Sequence, residues 1–321
     1  MILITGATGF LGSQLALDLL KQGKSVRAIK RSSAVIPESL KNSTIEWVEG
    51  DVLDYFSIED ALEGVNYVYH CAAKVALNPK YKAQMYRTNI EGTANVVNAC
   101  MVKGVKKLMH VSSIAAVGFT KPGELITENN KFEYAPTNSP YAVSKYESEN
   151  EVWRGVAEGL NAIVVNPSII IGMDDWERGS GRIFGMVNKG NKFYADGGCG
   201  YVDVRDVSAC MIKLMESDLK NERYVINADN LSFKELLSLI AQNLNKPVPS
   251  FNVKKWQLAI GWRIAKLISI FTGKEPALTK DTATSAPVTQ FYSNKKVLNA
   301  IDHRFIPIAQ SINDIVQRCK K

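Results

Sequence analysis

Nine residues, ITGATGFLG from Ile4 to Gly12, restrict what this chain can fold into more than any other feature. They space Gly6, Gly9 and Gly12 three apart, after a short apolar run (MILIT) and before a segment of helical period from Leu11 to Gln22. A strand that enters a tight glycine turn and leaves it as a helix has the form of a phosphate-binding loop. Glycine permits the turn, lets the backbone approach a pyrophosphate and allows helix to pack closely on sheet. The helix N-terminus then offers unpaired N–H groups to the anion. Gly6, Gly9, Phe10, Leu11 and Gly12 are therefore candidate cofactor contacts.

The chain from there to Asn166 repeats that alternation. SVRAIK, IEWVEG, NYVYHC, KKLMHV and NAIVVN read as further strands. Between them, Ser57 to Glu63, Tyr81 to Val102 and Pro140 to Glu158 carry helical period. Strands and helices alternating at this spacing imply right-handed crossovers and a parallel sheet covered on both faces. The fold class expected is α/β: a Rossmann-type, doubly wound parallel sheet with a smaller, partly discontinuous C-terminal α/β substrate domain. We place the dinucleotide-binding domain at 1–170, with 203–228 returning to it, and the substrate domain at 171–202 and 229–321. GMDDWERGSGRIFG and ADGGCG read as loops near a cleft, and Ser232 with Glu235 reads as a capping box that opens another helix.

Composition removes several function classes. With 46% hydrophobic and 22% charged residues over 321 positions, the chain is an ordinary globular protein. The net charge of +7 is spread over dyads such as Lys106-Lys107, Lys254-Lys255 and Lys295-Lys296 rather than runs, so no nucleic-acid partner is expected. Five widely spaced cysteines without a C-x-x-C suggest no disulfide framework and no metal site. A reducing, cytoplasmic location fits, and the N-terminus has no leader pattern. Residues 256–271 are apolar but carry Arg263 and Lys266, too short and too charged to span a bilayer. They read as a buried or lid-forming amphipathic helix, or as one that docks on a membrane surface or a partner.

The second strand should end beside the adenosine ribose, where an acid would accept from the 2′-hydroxyl. Lys30 and Arg31 stand there instead. A cationic pair favours a 2′-phosphate, so NADP(H) is preferred, with NAD(H) the alternative.

Two Tyr-x-x-x-Lys pairs occur, Tyr141 with Lys145 in SPYAVSK and Tyr292 with Lys296 in YSNKK, and chance alone predicts such pairs in a chain with 12 tyrosines. Their surroundings separate them. Carbonyl reduction needs a proton donor at the oxygen, a hydride donor at the carbon and a second hydrogen bond to the oxygen. Tyrosine can donate, and a lysine one helical turn away should lower its pKa from about 10. Ser112 and Ser113 lie just past the fifth strand, and Tyr141 follows Ser113 by 28 residues. No such serine precedes Tyr292, which reads as a surface or packing residue.

The G-x-x-G-x-x-G spacing, TGATGFLG, resembles the phosphate loop of the extended short-chain dehydrogenases/reductases, the NAD-dependent epimerase/dehydratase family. The register of MHVSSIAAVG resembles its dihydroflavonol 4-reductase-like branch. That resemblance selects Ser113 over Ser112 and implies a Ser113–Tyr141–Lys145 constellation, with Lys145 also bonding the nicotinamide ribose. It further implies cofactor contacts at Asp51 and Val52 (GDVLD), Ala72 and Ala73 (HCAA), and Pro167 and Ser168 (VVNPSIIIG). Asn89 supports the site and His70 is structural. YVDVRDV, Tyr201 to Val207, resembles a motif at the substrate mouth.

The implied function is interconversion of a ketone or aldehyde and an alcohol on a moderately apolar small molecule. Sugar dehydration is disfavoured because Ile114-Ala115-Ala116 stands where an acid and a base belong. Nucleotide-sugar epimerisation remains an alternative, as does a non-catalytic dinucleotide-binding regulator. The two long helices, Tyr81 to Val102 and Pro140 to Glu158, could pair across a homodimer.

Overall fold

A computed structural model describes residues 1–76, 79–121, 123–172, 176, 179–272, 276 and 278–319. In chain order its strands are β1 Ile2–Thr5, β2 Val26–Lys30, β3 Glu46–Glu49, β4 Tyr67–His70, β5 Lys107–Val111, β6 Ala162–Pro167, β7 Ile169–Ile171, β8 Phe193–Tyr194, β9 Gly198–Asp203, β10 Glu222–Ile226, β11 Asp229–Ser232 and β12 Phe251–Asn252. The helices are α1 Phe10–Lys21, α2 Tyr55–Ala61, α3 Lys82–Tyr86, α4 Gly92–Val102, α5 Pro140–Ala157, α6 Gly181–Asn188, α7 Val204–Glu216, α8 Phe233–Asn243, α9 Lys255–Thr272, α10 Lys280–Ser285, α11 Lys295–Ala300 and α12 Ile308–Cys319.

Seven strands form one parallel sheet in the order β10-β6-β5-β4-β1-β2-β3. Period-2 alternation explains why both faces are covered. Ile2 and Ile4 of β1 pack with Leu11, Leu15 and Leu19 of α1 and with α7, whereas Leu3 points the other way, into a core shared with α2, α4 and α5. The chain winds outward from β1 to β3, then crosses to β4 on the other side of β1. That reversal opens a crevice above the C-terminal ends of β1 and β4, the place where ligands bind in open α/β sheets.

Capping sets the helix entries. Asp54 caps α2 through the N–H groups of Phe56 and Ser57, Ser139 caps α5 with Pro140 in its first turn, and Ser232 and Glu235 form the capping box of α8.

Two expectations need correction. The helix expected from Tyr81 to Val102 runs continuously from Lys82 to Val102 but not as one regular α-helix: α3 and α4 are joined by a π-helical segment over Arg87–Glu91, at which Asn89 turns inward. The glycine-rich stretches read as loops hold regular structure, because α6 occupies Gly181–Asn188 and β9 occupies Gly198–Asp203. Residues 173–175 and 177–178 of the first stretch lie outside the described residues. β9 pairs with β7 and β11 in a second sheet, and β8 with β12 in a third.

Candidate active site

The glycine loop lies where β1 delivers it. Gly6 has φ +76°, and a Cβ there would stand 2.6 Å from the backbone nitrogen of Ala72, so both the turn and the close approach to the β4 exit require glycine. A Cβ on Gly12 would strike the carbonyl of Gly6, which is why α1 can start so close to the sheet. Gly9 N–H donates to Gly6 O at 2.9 Å. Gly9 itself is exposed and is the N-cap of α1 with no side chain capping it. Among the described residues no side chain caps the first turn of this long helix, which fits a bound pyrophosphate.

The neighbouring walls are built from strand ends. Lys30 closes β2, and Arg31, Ser32 and Ser33 beyond it are exposed. Asp51 follows β3 and accepts from Leu53 N–H at 3.0 Å, a local turn that fixes its carboxylate; Val52 beside it is buried against Gly92. Ala72 is half-buried and Ala73 exposed at the exit of β4. Pro167 ends β6, and Ser168 is buried with its hydroxyl unpaired among the described residues.

His70 and Asn89 hold this crevice in shape. The Thr93 hydroxyl donates to Asn89 O, so it accepts from His70 Nε2 at 3.0 Å; His70 Nδ1 then accepts from Thr5 Oγ1 at 2.7 Å, and Thr5 in turn accepts from Ala72 N–H. Burial, aided by the Lys145 charge, lowers the His70 pKa to about 3, so it stays neutral in this relay. Asn89 accepts from Lys74 N–H at 2.7 Å and donates to Lys74 O and to Ser144 Oγ, each at 3.0 Å. One buried amide therefore ties the loop after β4 to α5.

At the end of β5 the chain turns through Ser112 and Ser113. Ser112 points inward, buried, with its hydroxyl unpaired among the described residues. Ser113 is half-buried beside the Tyr141 phenol, whose pKa it pulls down, and accepts from Ala115 N–H at 3.1 Å. Lys145, one turn further along α5, is only 2% exposed and donates from Nζ to Val111 O at 2.8 Å. The structure thus brings Ser113, Tyr141 and Lys145 to one spot at the C-terminal edge of the sheet, and it is Ser113 rather than Ser112 that meets the tyrosine.

One electrostatic expectation is overturned. Lysine at this spacing should depress the tyrosine, yet burial dominates and raises the Tyr141 pKa, with Ser113 partly offsetting it. Burial also lowers Lys145 to about 8, opposed by the nearby carboxylate of Glu149.

The family's sequence profile, described as the NAD dependent epimerase/dehydratase family, matches residues 2–227. This chain belongs to that family. It is 28% identical over 320 residues to a protein from Synechocystis sp. named as a dihydroflavonol 4-reductase, covering 98% of this chain and 92% of the relative. It is 32% identical over 252 residues to sterol demethylase protein B of Methylococcus capsulatus, covering 77% and 75% of the two chains. The UDP-glucose 4-epimerase of Thermus thermophilus, solved with NAD, has the same fold: TM-score 0.79 over 99% of this chain and 98% of that one, at 20% identity. As a member of the epimerase/dehydratase family, the protein is an NAD(P)-dependent enzyme of the extended short-chain dehydrogenase/reductase type.

In this family member, sequence reasoning missed a buried polar network behind the triad. Glu149 is almost fully buried and accepts from Asn166 Nδ2 at 3.0 Å, Trp153 Nε1 at 3.2 Å and Arg223 at 3.2 Å. Asn166 also donates to Ser113 O at 2.9 Å, which joins the serine turn to the glutamate. The available signal was the spacing: Glu149 stands four residues after Lys145, on the same helix face. Arg223, from β10, was not legible locally.

YVDVRDV also serves as a structural joint. Asp203 caps α7, chelates Arg205 and accepts from Ser311 of α12, so its carboxylate is consumed in fastening helices. Tyr292 is buried with Ile114, Val117, Ile126 and Val225, a packing residue, as the sequence suggested.

Proposed function

We propose that this protein is a carbonyl reductase, equally the reverse alcohol dehydrogenase, acting on a moderately apolar small molecule with a bound NADP(H). The single observation that carries this reading is the convergence of Ser113, Tyr141 and Lys145 beside an open glycine loop. The dinucleotide, when bound, supplies the hydride. Gly6, Gly9, Phe10, Leu11 and Gly12 would hold its phosphates, Asp51 and Val52 its adenine, and Ala72, Ala73, Pro167 and Ser168 would line its path to the nicotinamide.

The chain's own residues supply the rest. Ser113 hydrogen-bonds the substrate oxygen and Tyr141 gives it a proton. Burial keeps the Tyr141 phenol protonated at neutral pH, as a proton donor must be. Lys145 bonds the ribose and stabilises the phenolate once the proton has left.

Arg31, exposed past β2 with no acid at that place, supports NADP(H) over NAD(H). The expected outcome of a titration is tighter binding of NADPH than NADH, a difference that Arg31→Ala removes. An apolar substrate is supported by Ile114-Ala115-Ala116 after the serine and by a relative whose name refers to sterols. Free cysteines support a cytoplasmic setting, and the α4–α5 pair is the surface we assign to a homodimer.

Epimerisation of a nucleotide sugar is the second reading, favoured by the fold shared with UDP-glucose 4-epimerase. NADPH oxidation over a panel of ketones, aldehydes and UDP-sugars separates them: reduction of apolar ketones supports the reductase, and UDP-sugar epimerisation alone refutes it. Tyr141→Phe should lose nearly all turnover and keep cofactor affinity, and a variant with full biological function would identify a non-catalytic regulator instead.

A further inference from the structure

The largest unexplained apolar surface is on α9. One face of this helix is anchored: Leu258 and Trp262 pack with Val253, Ala195, Leu278 and Ala283. A different face is bare. Trp256, Ile260, Ile264, Leu267, Ile268 and Phe271 recur at three- and four-residue steps and are all exposed, Phe271 by 87% and Trp256 by 64%. Monomeric proteins rarely leave such a continuous stripe in water.

Charge selects what covers it. Arg263 borders the stripe next to Trp256, Lys255 and Lys266 stand further round on the side away from it, and the 18 residues of α9 contain no Asp or Glu. A second copy of the same helix would bring no acid to pair with these cations. An anionic headgroup layer complements both parts at once, since basic side chains reach outward to headgroups while apolar ones enter the acyl boundary. Among the described residues no helix is long and apolar enough to cross a membrane, so α9 would lie in the plane of the surface.

We propose that α9 is an interfacial docking helix by which the enzyme binds anionic phospholipid surfaces. This stands independently of which carbonyl is reduced.

The test is flotation of the full-length protein with phosphatidylcholine vesicles, with and without phosphatidylglycerol. Three basic side chains predict about a hundredfold tighter binding to the anionic vesicles at low salt, lost at high salt. Trp256 emission should shift to the blue on binding. Ile264→Glu with Ile268→Glu should abolish flotation, and Arg263→Glu with Lys266→Glu should weaken it to the neutral-vesicle level. Both pairs should retain cofactor affinity, which shows that they fold. Binding to no vesicle, or equal binding to neutral ones, overturns the proposal. So does a lipid-free dimer that Ile264→Glu with Ile268→Glu dissolves, because the stripe would then belong to a second copy.

Discussion

Replacing Lys145 by methionine should stabilise the folded protein while ending its turnover. Lys145 is 2% exposed and has Val111 O as the hydrogen-bond partner of its ammonium. Burial brings its pKa from 10.5 to about 8, against the opposing pull of Glu149. At about 1.4 kcal/mol per pH unit, holding this charge costs about 3 kcal/mol at neutral pH. The sign comes from proton counts. Between pH 8 and 10.5 the unfolded chain binds the proton that the folded one has released, so stability from this group rises with pH across that window, and below pH 8 the whole cost is present. Methionine has nearly the same length and no charge, and Glu149 keeps Asn166, Trp153 and Arg223 as partners, so no buried anion is orphaned. Urea unfolding of the cofactor-free proteins should find Lys145→Met more stable by about 3 kcal/mol at pH 7, with the gap closing by pH 10.5. A variant less stable at pH 7, or a gap that ignores pH, would refute the electrostatic account of this site.

Gly6→Ala should lose dinucleotide binding and about 1–3 kcal/mol of stability, since φ is +76° and the added methyl meets Ala72 N at 2.6 Å; fluorescence titration and a thermal melt read both. Asn89→Ala should cost about 1–3 kcal/mol by urea unfolding, because Lys74 N–H loses its partner. Cofactor affinity should fall with it, as the loop after β4 loosens from α5. Conversely, Cys71 beside Lys145 should resist thiol reagents at pH 8, because burial pushes its pKa up to about 12.

The six strands read from β-branched runs, the glycine loop and the spacing of Tyr141 and Lys145 were legible because each is a local pattern. A strand alternates over a few residues, a phosphate loop is a turn, and four residues make one helical turn. β9 escaped for a non-local reason. Its glycines look like loop residues, but a Cβ at Gly198 would stand 2.9 Å from Leu231 O, and one at Gly200 would strike the Asn227 side chain. Those glycines are demanded by neighbours from β11 and the turn before it. The π-helical segment at Asn89 escaped for the same reason, since Asn89 is held there by bonds to Lys74 and Ser144.

By itself, then, the sequence determined the parallel α/β fold, the phosphate loop and the residue types that meet a carbonyl, all encoded in periods and spacings shorter than thirty residues. Tertiary structure decided the chemistry's settings. It put Ser113 rather than Ser112 against Tyr141 and raised that tyrosine instead of lowering it. It brought Glu149, Asn166 and Arg223 from three elements to bear on Lys145, and it spent the Asp203 carboxylate on capping a helix. Burial and long-range pairing control ionisation and orientation, and neither is written in the order of neighbouring residues.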